Sequence, residues 1–226
     1  MKRKITQANN FYYLTFALIA LLVLSALTKE LPSNLSVVNY ILQALVISTF
    51  AVCLFSLRFG QGWFKFLLTL SGLWLIASIA RNLLDIQQMD LIVLPLMFCF
   101  FLGTFKAIAK QILFTGSVDF NKIVGSLALF LLLGLIWTTA YLFILELMPN
   151  AFTGIEATSW GDNFSQLAYF SFVTLTTLGY GDISPITPFA EVIVYLEAIT
   201  GVFYMAIVVA SLVSSTELEF NQTNRD

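Results

Sequence analysis

Histidine is absent from all 226 residues, and only 11% of them are charged. Without histidine the chain lacks the usual general base, the commonest metal ligand, and any intramembrane protease built on a serine and histidine pair. The two cysteines, Cys53 and Cys99, fall inside apolar runs, where a thiol packs as a small hydrophobe. Neither a disulfide nor a metal site is expected of them. Basic residues are few and dispersed, and the net charge is -2. Nothing resembles a patch able to neutralise a run of phosphates, so nucleic acid is excluded as an expected partner.

What is abundant is apolar. Hydrophobic residues make up 59% of the chain and its mean hydropathy is +0.89, values that belong to a membrane protein. A hydrocarbon core about 30 Å thick takes roughly 20 apolar residues in a helix, since only helices or closed barrels satisfy every backbone group in lipid. Six segments qualify: 11–28, 35–57, 63–80, 89–105, 123–147 and 189–213. The fourth is short and carries Pro95 and Gly103. The first is too long for a signal-peptide core and has no small-x-small cleavage site near residues 25–28.

Positive residues in short flanking loops stay cytoplasmic. If all six segments span, Lys2, Arg3, Lys4, Arg58, Lys65, Lys106, Lys110, Lys122 and Arg225 share one side, leaving Lys29 and Arg81 on the other. Both termini are therefore expected in the cytoplasm. Between spans four and five, Lys106 and Lys110 stand four apart among Ile108, Ile112 and Leu113. The pattern predicts an amphipathic linker over 106–122 along the inner surface, acting either as a lever or as a plain connector with snorkelling lysines. Arg81 and Asp85 are spaced to pair across one helical turn.

Segment 148–188 is too apolar for an exposed loop, with Trp160, Phe164, Leu167, Tyr169, Phe170, Phe172, Val173, Leu175 and Leu178. It is expected to re-enter the membrane, where non-helical backbone survives only if protein buries it or if it lines a watery path. Pro149, Gly154 and Gly161 break the fifth span, and Asp162, Asn163 and Ser165 are candidate caps for a short helix ending near Thr176. The carbonyl end of such a helix carries partial negative charge, which favours a cation.

The second half of this segment reads Thr174-Leu175-Thr176-Thr177-Leu178-Gly179-Tyr180-Gly181-Asp182. It resembles the signature of the potassium channel superfamily, Thr-Val-Gly-Tyr-Gly followed by Asp, with Leu178 in place of the usual Val. The resemblance is to small bacterial-type pore-loop channels with six helices and no charged voltage sensor. It implies an all-α tetrameric pore in which a re-entrant pore helix and filter lie between helices five and six. The carbonyls of Thr177, Leu178, Gly179 and Tyr180, with the Thr177 hydroxyl, would replace the water around K+. Gly179 and Gly181 would supply backbone angles that are expensive for residues bearing a Cβ.

By the same resemblance Tyr169 and Phe170 form an aromatic cuff, in the pore helix that also carries Thr174 and Thr176, and Tyr180 packs against it. Asp182 lies at the outer mouth, with Glu146, Glu156 and Asp162 as weaker contributors to a negative potential there. Gly201 is the hinge of the inner helix, and Val202, Met205 and Val209 face the cavity. Glu197 lies within a span, where an ionisable group is a functional suspect. It is expected either to hydrogen-bond pore-helix hydroxyls such as Ser171 or Thr174, or to take part in gating or proton sensing.

The implied organisation is a cytoplasmic N-terminus (1–10), a four-helix membrane domain (11–105), the linker (106–122), a pore domain (123–213) and a short cytoplasmic tail (214–226). That leaves no soluble regulatory domain in this chain. The expected partners are a lipid bilayer, most simply a bacterial plasma membrane, and three further copies of the chain, with no cofactor beyond the permeant potassium ion. A voltage sensor needs several basic residues at every third position of one helix, because each charge yields only about 2.3 kcal/mol per 100 mV. The fourth span has none, so voltage dependence is expected to be weak.

One enzyme reading competes. Intramembrane aspartyl proteases carry a Gly-x-Gly-Asp motif, which Gly179 to Asp182 satisfies, but they need a second aspartate to share a proton. None lies in the interior of another predicted span, and Glu197 is the wrong residue type. A further alternative keeps the pore and relaxes its selectivity to other cations through Leu178.

Overall fold

The computed structural model describes residues 10–30, 35–56, 61–84, 87–113 and 120–223. The apolar runs form helices α1 (Asn10–Glu30), α2 (Leu35–Ser56), α3 (Gln61–Leu84), α4 (Asp90–Leu113), α5 (Phe120–Leu147) and α7 (Pro188–Thr223). A seventh helix, α6 (Trp160–Leu175), lies between α5 and α7 in sequence. Among the described residues the only strands are β1 (Phe152–Thr153) and β2 (Ser184–Pro185), paired antiparallel with Phe152 opposite Pro185.

Five of these helices carry apolar stretches long enough to cross a membrane: Phe11–Thr28, Gln61–Leu84, Asp90–Ile112, Ile123–Leu147 and Pro188–Val208. The described apolar stretch of α2, Tyr40–Ser56, is shorter. With 16 residues, α6 reaches only about 24 Å and cannot cross. The chain is an all-helical integral membrane protein.

Two boundaries differ from expectation. The fourth helix runs on to Leu113, so Lys106 and Lys110 occupy its last turns instead of a separate linker helix. Nothing between Phe105 and Leu113 breaks a helix, and Pro95 sits in the second turn without ending it. The Lys106 ammonium lies 5.5 Å from the centre of the Trp63 ring on α3, an interaction that holds it beside its neighbour. Likewise α7 continues to Thr223 through most of the expected tail, which holds neither Pro nor Gly.

The core of the front helices is aromatic. Phe50 on α2 stacks on Phe100 of α4 at 3.8 Å and meets Trp74 of α3 edge-on at 5.3 Å. Gln43 and Asn82 join α2 to α3, the Asn82 amide donating at 2.8 Å. Arg81 pairs with Asp90 at the start of α4, one guanidinium N–H donating at 3.0 Å. Asp85, together with Lys2, Arg3, Lys4, Arg58 and Arg225, lies outside the described residues.

Helix α5 is the hub. Of an 18-residue apolar window in α5 67% is buried, against 11% of the corresponding window in α7. Both α1 and α4 pack on α5, and the Thr15 hydroxyl of α1 lies 3.3 Å from the Val124 carbonyl. Among the described side chains of α7 only Ala190, Glu197 and Gly201 are buried, seven and four residues apart on one helical face. That face rests on α6.

Candidate functional site

The site is assembled on the two ends of α6. At its start the cap is Ser159, not the expected Asp162, Asn163 or Ser165. The Asp162 backbone N–H donates to Ser159 Oγ at 3.3 Å, and the Ser159 hydroxyl donates to the Asp162 carboxylate at 2.7 Å. This reciprocal bond resembles a capping box with an aspartate at the third position. Asn163 is buried and its side-chain oxygen accepts from the Thr158 hydroxyl at 3.0 Å, fixing the preceding loop.

At its end the chain folds back over the helix. Thr176 N–H donates to Phe172 O at 3.1 Å, Thr177 N–H to Thr174 O at 2.9 Å, and Leu178 N–H to Val173 O at 2.9 Å. The last helical carbonyls are thus satisfied by the segment they lead into. Beyond this point φ is positive at Thr177 (61°), Gly179 (56°) and Gly181 (80°), with Leu178 and Tyr180 between them outside that region. In a strand successive carbonyls point to opposite sides. A backbone alternating between positive and negative φ turns them toward the same side, the carbonyl counterpart of the N–H concavities that bind anions. The row of oxygens from Thr177 to Tyr180 is therefore a candidate cation site built without side-chain charge. Among the described residues no cluster of acidic, Cys or His side chains forms a metal site.

The positive φ at Thr177 was not anticipated. For a β-branched residue it is strained by about 1–3 kcal/mol, and such strain persists only where the surroundings impose it. Here the folded-back hydrogen bonds on either side impose it.

Tyr169 and Tyr180 stack with centroids 6.4 Å apart and planes within 9°. The Tyr169 hydroxyl donates to the Asp182 carboxylate at 2.7 Å, so one residue of α6 holds both the ring and the end of the segment. Phe170 points the other way, into a cluster with Tyr141 (5.1 Å) and Phe152 (5.7 Å), and does not touch the Tyr180 ring. The exit is fixed by β1 and β2 and by Gly154, where a Cβ would meet the Asp182 carbonyl at 1.9 Å. Glu146 lies beside the Arg81 and Asp90 pair around a small polar recess, and Glu156 in a neighbouring one.

Below the turn, Thr176, Thr177, Gly201, Val202 and Met205 line a cavity of about 620 Å³ with residues of α5. The side chain of Val209 lies outside those described. Above Gly201, Glu197 is fully buried. Its Oε1 lies 2.5 Å from Ser171 Oγ on α6, and its Oε2 accepts from the Tyr141 hydroxyl on α5. Ser171 Oγ is also 2.9 Å from the Gly134 carbonyl of α5. Ser171 was an expected partner; Tyr141 was not, and Thr174 makes no described bond to Glu197.

Residues 129–217, which contain α6, the turn after it and the Glu197 contacts, match a protein family described as an ion channel. Over 78 residues the chain is 37% identical to the potassium voltage-gated channel protein shk-1 of Caenorhabditis elegans. That alignment covers 34% of this chain and 13% of the relative, so the chain spans a small part of that protein's length. No solved structure matches the chain. The matched stretch is thus similar to an ion channel domain, with potassium channel similarity over the aligned part.

Proposed function

We propose that this chain is one subunit of a homotetrameric, potassium-selective channel that conducts K+ passively across the membrane. The observation carrying this reading is the alternation of left-handed residues at 177, 179 and 181 within Thr-Leu-Gly-Tyr-Gly, at the carbonyl end of a helix too short to span. Four such segments converging on one axis would line it with carbonyl oxygens able to replace a hydration shell. The half-unburied state of the pore elements supports assembly. Leu178, Tyr180, Val202, Phe203 and Met205 are all more than half exposed, which suits faces that meet other copies.

On this reading α6 is the re-entrant pore helix, Asp182 stands at the outer mouth, and both termini are cytoplasmic, as in small bacterial-type channels. The front helices act without a voltage sensor, since the basic residues of α4 are Lys106 and Lys110 alone, four apart in its last turns.

Purified protein in liposomes tests pore, selectivity and self-sufficiency together. Potassium-gradient flux blocked by external barium, with little flux under a sodium gradient, is the expected result. Equal flux of both ions would favour a less selective cation channel, the reading that Leu178 leaves open. A monomer in the bilayer, or no flux in either gradient, overturns the proposal. A steep conductance to voltage curve overturns the account of the front helices.

A further inference from the structure

Glu197 lies at a junction of three helices where the protons can be counted. Three contacts join four groups: Tyr141 hydroxyl to Glu197 Oε2, Glu197 Oε1 to Ser171 Oγ at 2.5 Å, and Ser171 Oγ to the Gly134 carbonyl at 2.9 Å. Tyr141 and Ser171 bring one hydroxyl proton each, and a carbonyl brings none. An ionised Glu197 would take both protons and leave the Gly134 contact empty. A neutral Glu197 donates from Oε1 to Ser171, whose proton then goes to Gly134, while Tyr141 donates to Oε2. Only the neutral carboxyl fills all three contacts.

Among the described residues no cation offers the ionised form a partner. From α5 the Tyr141 phenol faces Glu197, and the one basic residue of that helix, Lys122, lies in its first turn. From α6 the Ser171 hydroxyl faces it, and Asp162 lies in the first turn at the opposite end. Neither residue of β2 titrates. Along α7, Glu191 and Tyr195 are exposed, and the Tyr204 hydroxyl donates to the Ser126 carbonyl of α5.

We infer that Glu197 is a positioning residue whose carboxyl proton closes a relay, Glu197 to Ser171 to Gly134, that ties the pore helix to the outer helix from the inner helix. The inference rests on the channel reading and deepens it. Losing the proton turns the Ser171 hydroxyl toward Glu197 and releases its bond to α5. The pore helix then loses this hydrogen bond to the outer helix and keeps only its apolar packing there, immediately behind Thr174 to Leu178. Conduction belongs to the neutral form and falls on alkalinisation, by about five-fold if one such bond decides the population.

The test combines infrared spectroscopy of the purified protein with potassium flux in liposomes across a pH series, using wild type, Glu197→Gln and Ser171→Ala. A protonated-carboxyl band that Glu197→Gln removes, fading with rising pH in step with flux, is the expected result. Glu197→Gln, which keeps a donor and an acceptor, should conduct potassium over sodium with a flat pH profile. Ser171→Ala should keep the band and lose the pH response. The inference is overturned by the absence of such a band, by a flat or rising wild-type profile, or by either variant retaining the wild-type response. Flux absent from wild type at every pH strikes the channel reading instead, and the band alone then decides where the proton sits.

Discussion

The carbonyl oxygen of Leu175, the last residue of the pore helix, lies 2.1 Å from the point a Cβ on Gly201 would occupy. The inner helix therefore touches the backbone of α6 where the filter segment begins, and the contact has no flexible side chain that can give way. This is a close-approach role, since α7 is continuous through Gly201. Gly201→Ala forces the helices apart at an overpacking cost of about 1–3 kcal/mol per copy. We expect a lower Tm in detergent and loss of most potassium flux, while Thr200→Ala, one residue away on a more exposed face, leaves both near wild type.

Gly179 and Gly181 test the alternating backbone directly. A Cβ at φ values of 56° and 80° costs about 1–2 kcal/mol per residue, and a tetramer meets that cost four times. Gly179→Ala or Gly181→Ala should abolish barium-sensitive potassium flux while circular dichroism shows unchanged helix content. Thr177→Ala still places a Cβ at a left-handed φ and removes the hydroxyl with the γ-methyl. Reduced flux with little change in Tm is the expected contrast.

Much of this was readable from residues alone, for particular reasons. Apolar runs near 20 residues long have few structural options, so the long helices begin within a few residues of expectation. The boundary errors arose because Lys106, Lys110 and the polar residues after Val213 mark where a helix leaves the apolar phase, which differs from where its hydrogen bonds stop. The close stacking of Tyr169 on Tyr180 matched a known pattern. Tyr141 did not, because it sits 56 residues before Glu197 and no local spacing links them. The left-handed Thr177 was also invisible, since a β-branched residue gives no signal for a conformation imposed by the hydrogen bonds around it. The cap was misplaced for a subtler reason: Ser159 and Asp162 are both capping residues, and here they bond to each other.

That pairing makes the start of the pore helix separately testable. Ser159→Ala removes the acceptor for the Asp162 N–H and the donor to its carboxylate, and loss of an N-cap costs about 1 kcal/mol. The substitution should lower the Tm of the assembled protein by a few degrees with selectivity retained, and Ser159→Thr should restore most of the difference. A fall in Tm as large as that of Gly201→Ala would mean that Ser159 does more than cap.

Arg81 and Asp90 join α3 to α4 beside Glu146 at the end of α5, so the pair sits where the front helices meet the pore elements. Both side chains are largely buried, at 12% and 3% exposure, so removing one partner strands the other charge. Breaking a buried pair costs about 3–5 kcal/mol. Asp90→Asn should therefore destabilise clearly more than Ser159→Ala in the same Tm assay. Arg81→Met with Asp90→Leu should recover part of the loss, because a pair of apolar side chains strands neither charge of the pair. If the junction serves only to dock the front helices, the double variant will conduct with wild-type selectivity. A change in open probability despite recovered stability would show instead that the charges at this junction bias the pore.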